Sequence, residues 1–453
     1  MNARKLLGGY GFTRRRRSLV RHATARLTFW AGAVGVGLVA VVFGHLIDWA
    51  ERQLYRGTFN NPWLTFVLMP AIGIVGLWVV RRWYPGIAGS GIPQVMAEMQ
   101  RRPDEKWTPL VAGRLAVAKI VVGVSAIGAG FSFGREGPMV QIGASVMSML
   151  RDRLPRAANI EYKHLLVVGG AAGIAAAFNA PLAGILFAIE ELNRGIESRM
   201  SGLIITAIVF AGVTARALMG NQSYFGHILI TGSNRTIIEM VLASAVFTGV
   251  LGGLFARMLT RSSAQWHTPL GRLRERRPYL FVALCGVLVA AIGWITDGHT
   301  HGTGYAPTVL LLEGEKDLPW YFGPAKYIAT IVSYLTGLPG GIFAPSLAIG
   351  AGLGQDLHLL MGGNAPPGML VAFCMTGFLA AVTQAPITSF VIVMEMVEGY
   401  PLVIGLMFVA LIASGISRSL SPSLYTFLAE RMVARERARA VPAVPPTTPP
   451  ASG

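Results

Sequence analysis

Two distant stretches of this chain are versions of each other. GREGPMVQIGA at 134–144 lines up with GIFAPSLAIGA at 341–351, matching at the first and last glycines, the proline, the isoleucine and the alanine. Further on, AAAFNAPLAGILFAIE at 175–190 lines up with AAVTQAPITSFVIVME at 380–395 through the leading alanines, Ala-Pro and the final glutamate. Pro138 and Pro345 stand 207 positions apart, and Pro181 and Pro386 stand 205 apart. A weaker third pair, Gly91-Ile92-Pro93 with Gly304–Pro307, falls in the same order. A chain duplicated in this way is expected to fold as two related halves.

Charge content identifies the solvent in which those halves fold. Only 13% of the 453 residues are charged and 53% are hydrophobic, against about 25% charged in soluble domains. The reading is an integral membrane protein. Windows such as Leu27–Ala50, Trp63–Val80 and Phe281–Ile295 approach or exceed the roughly 20 apolar residues that cross a bilayer. Others are too short or too glycine-interrupted, and broken helices persist at membrane depth only where protein or a watery cavity covers them. Leu27–Ala50 reads as a retained first span, because no short apolar region with a small-residue cleavage site follows the basic opening. A loop is expected at Glu51–Asn61.

The formal charge of +17, with Arg14-Arg15-Arg16-Arg17, raises nucleic acid as a partner. That reading is set aside, because the basic residues sit at the two ends and in loops that flank spans, the positive-inside pattern. Arg257–Arg277 carries six arginines and is placed inside; residues 220–236 carry only Arg235 and are placed outside. Basic segments at both ends fit two inverted halves with an odd number of spans each, an all-α polytopic fold with broken helices meeting at mid-membrane. The expected organisation is a basic cytoplasmic arm (1–23), a first membrane half (24–219), an outer linker (220–236), a second half (237–437) and a disordered tail (438–453). Cys285 and Cys374 lie in apolar runs and form no framework. His45, His227, His299 and His301 have no metal spacing, so no metal or cofactor is expected.

The chemistry concentrates at Gly134-Arg135-Glu136-Gly137-Pro138. A proline shortly after a glycine opens a helix, and the helix start turns free N–H groups and a positive dipole end toward the preceding turn. Main chain alone thus makes an anion site. Beside it stands Glu136, itself an anion able to occupy that site. An anion site with a titratable plug points to transport gated by protonation, and a buried acid at membrane depth is a functional hypothesis by default. Pairing of Glu136 with Arg135 is disfavoured, because adjacent side chains diverge at a helix start.

GSGIP at 89–93, GREGP at 134–138, GIFAP at 341–345 and Leu424-Tyr425 occur in the order and approximate spacing found in the CLC chloride channels and transporters. The chain resembles that family from residue 27 to about 437. The resemblance implies that Ser90 and Tyr425 offer hydroxyls to a dehydrated chloride, while Gly137, Ile342 and Phe343 line the site with backbone N–H groups. It implies that Glu136 is an outer gate that swings aside when protonated. Glu191 matches the inner proton-transfer glutamate of the exchangers, with Glu190 as a supporting acid; Glu190 and its repeat mate Glu395 also read as a structural pair.

The function so implied is chloride/proton antiport by a homodimer in a bacterial inner membrane, with both termini cytoplasmic and with chloride and protons as the transported ions. The alternative is a passive chloride channel of the same fold. No HExxH, GxSxG or paired-Asp motif lies in the apolar segments, so an intramembrane enzyme is not expected. Ser90 in GSGIP is the wrong residue for a fluoride exporter. One departure from the family stands out: relatives often carry acids just after the GSGIP proline, where this chain has Gln94 and Met96. That puts the usual partner of Lys119 in question, with Glu98 as the candidate replacement.

Overall fold

The computed structural model describes residues 3–102, 104–105, 107–154, 160–192, 201–220, 225, 234–263, 268–314, 318–363 and 366–440. Most of the expected outer linker, His227 and residues 441–453 of the expected tail lie outside the described residues.

Among the described residues the chain is a succession of α-helices, with two isolated β-bridges and no strands. The first half holds α1 (Ala3–Asn60), α2 (Leu64–Arg82), α3 (Ile92–Met99), α4 (Gly113–Ala129), α5 (Glu136–Ser148), α6 (Tyr162–Ala177), α7 (Pro181–Phe187) and α8 (Ser201–Met219). The second holds α9 (Asn234–Ser263), α10 (Pro269–Arg276), α11 (Pro278–Ile295), α12 (Tyr305–Glu313), α13 (Phe322–Leu335), α14 (Phe343–Leu360), α15 (Pro367–Thr383), α16 (Pro386–Met396) and α17 (Val403–Leu420). A final helix, α18, covers Leu424–Ala440. Proline begins α7, α10, α11, α15 and α16, where its missing N–H costs nothing and its fixed φ suits the first turn.

Among the described residues, six helical stretches are long and apolar enough to cross a bilayer: Ala23–Thr58, Leu64–Arg82, Gly202–Met219, Arg235–Ser263, Pro278–Ile295 and Tyr400–Leu420. These present exposed apolar side chains such as Leu38, Val67, Val213, Val246, Leu284 and Phe408. By contrast α5, α6, α14 and α15 are buried almost all round. α6, at 16 residues, reaches about 24 Å, short of the roughly 30 Å hydrocarbon core. Short helices with no lipid-facing side are the tolerated form of broken structure at membrane depth. The chain is a membrane protein whose centre is built from helices that do not span.

The repeat seen in sequence is repeated in packing. α5 lies on α6 as α14 lies on α15, and α1 lies on α8 as α9 lies on α17; the mates α2 and α11 touch each other, as do α7 and α16. The backbone repeats too. Asn179 and Gln384, each two residues before the matched prolines, have left-handed φ of 55° and 57°, a conformation unusual outside glycine.

One expectation is corrected. Glu51–Asn61 is not a loop: α1 continues to Asn60. Its polar residues Glu51, Arg52 and Arg56 line a cavity, so a helix turned toward water looks like a connection when read by hydropathy alone.

Candidate functional site

Three glycine-rich turns come together between the halves. Gly134 and Gly341 exchange both backbone hydrogen bonds, each at 2.8 Å. Gly89 N–H donates to Leu338 O at 3.2 Å, and Gly340 N–H donates to Gly89 O at 3.2 Å. The starts of α3, α5 and α14 are therefore held side by side by main chain. Space there is minimal: a Cβ on Gly137 would lie 2.4 Å from Ser90 Oγ and 3.0 Å from Gly341 Cα. Only glycine lets the three turns approach this closely.

Glu136 is fully buried. Its carboxylate folds back over Gly134, and Oε2 accepts from Ala344 N–H at 3.3 Å in the first turn of α14. Charge at that depth is costly, and the positive end of α14 supplies an opposing field. Arg135 turns the other way, to Asp48 Oδ1 at 3.2 Å, so the adjacent pair does diverge. Ser90 and Tyr425 come together as expected from their motifs. Both are buried, the Tyr425 hydroxyl faces Ser90, and neither oxygen has a hydrogen-bond partner. An unpaired buried hydroxyl costs about 1–3 kcal/mol, so two of them facing each other mark a place where a polar guest is tolerated. Ile342 and Phe343 open α14 beside them. The Phe343 ring stacks on Tyr425 (6.0 Å between centroids, 8° between planes), with Phe178 and Phe187 at 6.0 and 6.3 Å. Phe178 and Phe187 escaped the sequence reading, since apolar aromatics in apolar helices carry no local signal.

Glu191 is buried on the π-helical turn Ala188–Leu192 that ends α7. π-turns are uncommon and concentrate at functional sites. The neighbouring Glu190 points elsewhere. Its oxygens accept from Ile387 N–H (3.1 Å) and Thr388 N–H (2.6 Å) at the start of α16. Reciprocally, Glu395 at the end of α16 accepts from Leu182 N–H (3.2 Å) and Ala183 N–H (2.7 Å) at the start of α7. Each half caps the other half's helix with its own glutamate, so the pair is structural.

Lys119 corrects another expectation. It is fully buried, and its Nζ donates to Ile87 O (3.2 Å), Gly89 O (3.0 Å) and Gln141 Oε1 (2.6 Å), not to Glu98. Glu98 instead meets Arg101 Nη1 at 3.2 Å and Leu110 N–H at 2.8 Å. Gln94, in place of an acid, donates to Ala88 O at 2.5 Å. The turn that carries Ser90 is thus stapled by a cation bound to carbonyls. Its mate was missed in sequence: Lys326, 207 positions on and equally buried, donates to Thr300 O (2.9 Å) and Gly302 O (2.8 Å) before α12. Gly91 and Gly304 close the two turns with left-handed φ of 112° and 80°. Gly89-Ser90-Gly91 therefore has a structural twin, Gly302-Thr303-Gly304. In the twin, Glu51 Oε1 accepts from Thr303 N–H at 2.7 Å. This second turn lines a cavity of about 1150 Å³ together with Asp48, Glu51, Arg135, His301 and Tyr305.

The chain is similar to known proteins along most of its length. The chain is 29% identical over 452 residues to the H(+)/Cl(-) exchange transporter ClcA of Cronobacter sakazakii, covering 94% of this chain and 95% of that one. It is 30% identical over 436 residues to that of Yersinia pestis, covering 90% and 88%. Among solved structures, a slow cyanobacterial Cl-/H+ antiporter superposes with a TM-score of 0.77 at 24% identity, over 91% of this chain and 99% of that one. A CLC-type fluoride/proton antiporter superposes with a TM-score of 0.72 at 23% identity, over 90% and 98%. A profile of the family described as voltage gated chloride channel matches residues 72–418, and the chain belongs to that family.

Proposed function

We propose that this protein exchanges chloride for protons across the membrane. The observation that carries the reading is the Glu136 carboxylate on the first turn of α14: an acid occupies the position that main-chain geometry makes attractive to an anion. Chloride and carboxylate compete for that field, and protonating Glu136 removes its claim. Ser90 and Tyr425 then offer hydroxyl donors, with Gly137, Ile342 and Phe343 lining the site. Neutral dipoles suit a weak monovalent acceptor that must leave as readily as it arrives. Glu191, buried on the π-helical turn at the end of α7, hands on protons from the side opposite the Glu136 gate, which gives the two ions separate doors at one end. Glu190 supports that end through its cap on α16. The exchangers among the relatives support antiport over a passive channel.

The same reading puts the protein in a bacterial inner membrane with both termini cytoplasmic. It also makes the protein a homodimer.

Reconstitution into liposomes, with chloride efflux and external pH recorded together, tests the proposal. An imposed pH gradient should drive chloride uphill. Glu136→Ala should pass chloride without protons, because a methyl group neither carries a proton nor competes as an anion. Glu191→Gln should stop proton movement and leave chloride binding nearly intact. Reversal at the chloride equilibrium potential, indifferent to pH, would make the protein a passive channel. Unchanged proton pumping in Glu136→Ala would remove the gate assignment.

A further inference from the structure

Ser90 and Tyr425 meet at their hydroxyls, but the elements that carry them are joined at their far ends. α3 begins just after Ser90, Tyr425 stands in the first turn of α18, and the two helices pack together. Ala97 of α3 and Ala429 and Val433 of α18 close around Trp107, all buried. Beyond this cluster, Arg437 Nε donates to Glu105 Oε1 at 2.7 Å. The other oxygen of Glu105 accepts from Arg102 N–H at 2.9 Å. Glu98, with Arg101 and Leu110, pins the same segment from the end of α3. The segment after α3 is thereby fastened to the last turns of α18. The Arg102 N–H, aided by Arg437, holds the Glu105 carboxyl below the usual carboxylate range, so the pair stays charged through neutral pH.

Twelve residues of helix separate Tyr425 from Arg437, a rod of about 18 Å. Movement at one end of such a rod is delivered to the other. We propose that Glu105, Trp107 and Arg437 form a clamp that sets the gap between the Ser90 and Tyr425 hydroxyls, and so act as positioning residues for chloride at that end of the site. The proposal rests on the chloride reading of Ser90 and Tyr425. The Arg437 side chain is 44% exposed, and pairs so placed are weak enough to open and close reversibly.

The test exchanges charges: Glu105→Arg, Arg437→Glu and the two together. One readout is the rate at which Tyr425→Cys, with Cys285→Ser and Cys374→Ala, is modified by a water-soluble thiol reagent. The other is the chloride concentration giving half-maximal transport in liposomes, taken apart from the maximal rate. Each single reversal should raise the labelling rate about two- to fivefold, the size of a partly exposed ion pair, and shift half-saturation more than maximal rate. The double exchange should restore both, with the thermal unfolding midpoint unmoved throughout. Wild-type labelling in the single reversals, or no rescue in the double exchange, overturns the clamp. Should a reversal fail to fold, Glu105→Gln and Arg437→Gln serve in its place. Labelling that responds in a protein moving no chloride would keep the clamp and discard the chloride reading. Normal chloride transport with unresponsive labelling would do the opposite.

Discussion

The turns before α3 and α12 are the same object put to opposite uses. Both read Gly-hydroxyl-Gly, both close on a left-handed glycine, and both are stapled from behind by a buried lysine on two carbonyls. The carbonyls correspond position for position: Ile87 and Gly89 in one half, Thr300 and Gly302 in the other. The difference lies in what faces the hydroxyl. Ser90 Oγ is left without a partner opposite Tyr425, whereas the Thr303 hydroxyl donates to Glu51 Oε2 at 3.4 Å and its N–H donates to Glu51 Oε1 at 2.7 Å. Duplication supplied two cradles, and a single carboxylate decides which of them stays open. Geometry is inherited by the pair; occupancy is decided one side chain at a time.

That comparison can be broken most severely at the staples. Lys119→Met strands Ile87 O and Gln141 Oε1, while Gly89 O keeps the Gly340 N–H; Lys326→Met strands Thr300 O and Gly302 O. Each should cost on the order of 2–5 kcal/mol, read as a lowered thermal unfolding midpoint in detergent. Similar losses support the equivalence of the two turns. A large loss in one alone would show that only that turn depends on its lysine.

A smaller effect separates the closed cradle from the open one. Glu51→Ala removes the acceptor of Thr303 N–H and should cost about 1–3 kcal/mol, while Ser90→Ala strands no partner and should cost less than about 1 kcal/mol. Side-by-side melting of the two variants checks the contrast. Equal costs would mean that Ser90 already has a partner that matters as much.

The smallest effect concerns the exchanged caps. Glu190→Gln and Glu395→Gln each keep one acceptor oxygen at the partner helix and lose the charge facing its dipole, about 0.3–1 kcal/mol apiece. The two shifts should match. If only Glu190→Gln also lowers proton transport, Glu190 acts in the proton path beyond its cap.

Much of this was legible in advance, and the part that was not has a physical reason. The duplicated prolines and glycines announced the two halves, because helix starts and left-handed turns demand those residue types locally. GSGIP, GREGP, GIFAP and Leu424-Tyr425 led to the residues that the fold brings together. Partners were harder. Charge suggests Glu98 for Lys119, yet two of its three ligands are main-chain carbonyls, which every residue carries and no sequence displays. Lys326 and Thr303 went unnoticed for the same reason. Hydropathy places Glu51 in a loop, since it cannot distinguish a connection from a helix turned toward a cavity. Its partner is 252 positions away, beyond any local pattern.

The paired hydrogen bonds between Gly134 and Gly341 limit how the protein can work as a machine. They lash the starts of α5 and α14 together at the centre of the molecule, so rocking one half against the other would have to tear this seam. The parts free to move without breaking it are small: a glutamate rotating on its χ angles, and α18 shifting against α3 with Tyr425 in its first turn. Such a cycle displaces little lipid and changes the outline of the protein hardly at all. Its speed should therefore respond weakly to bilayer thickness and lateral tension, in contrast to carriers that tilt whole bundles through the membrane.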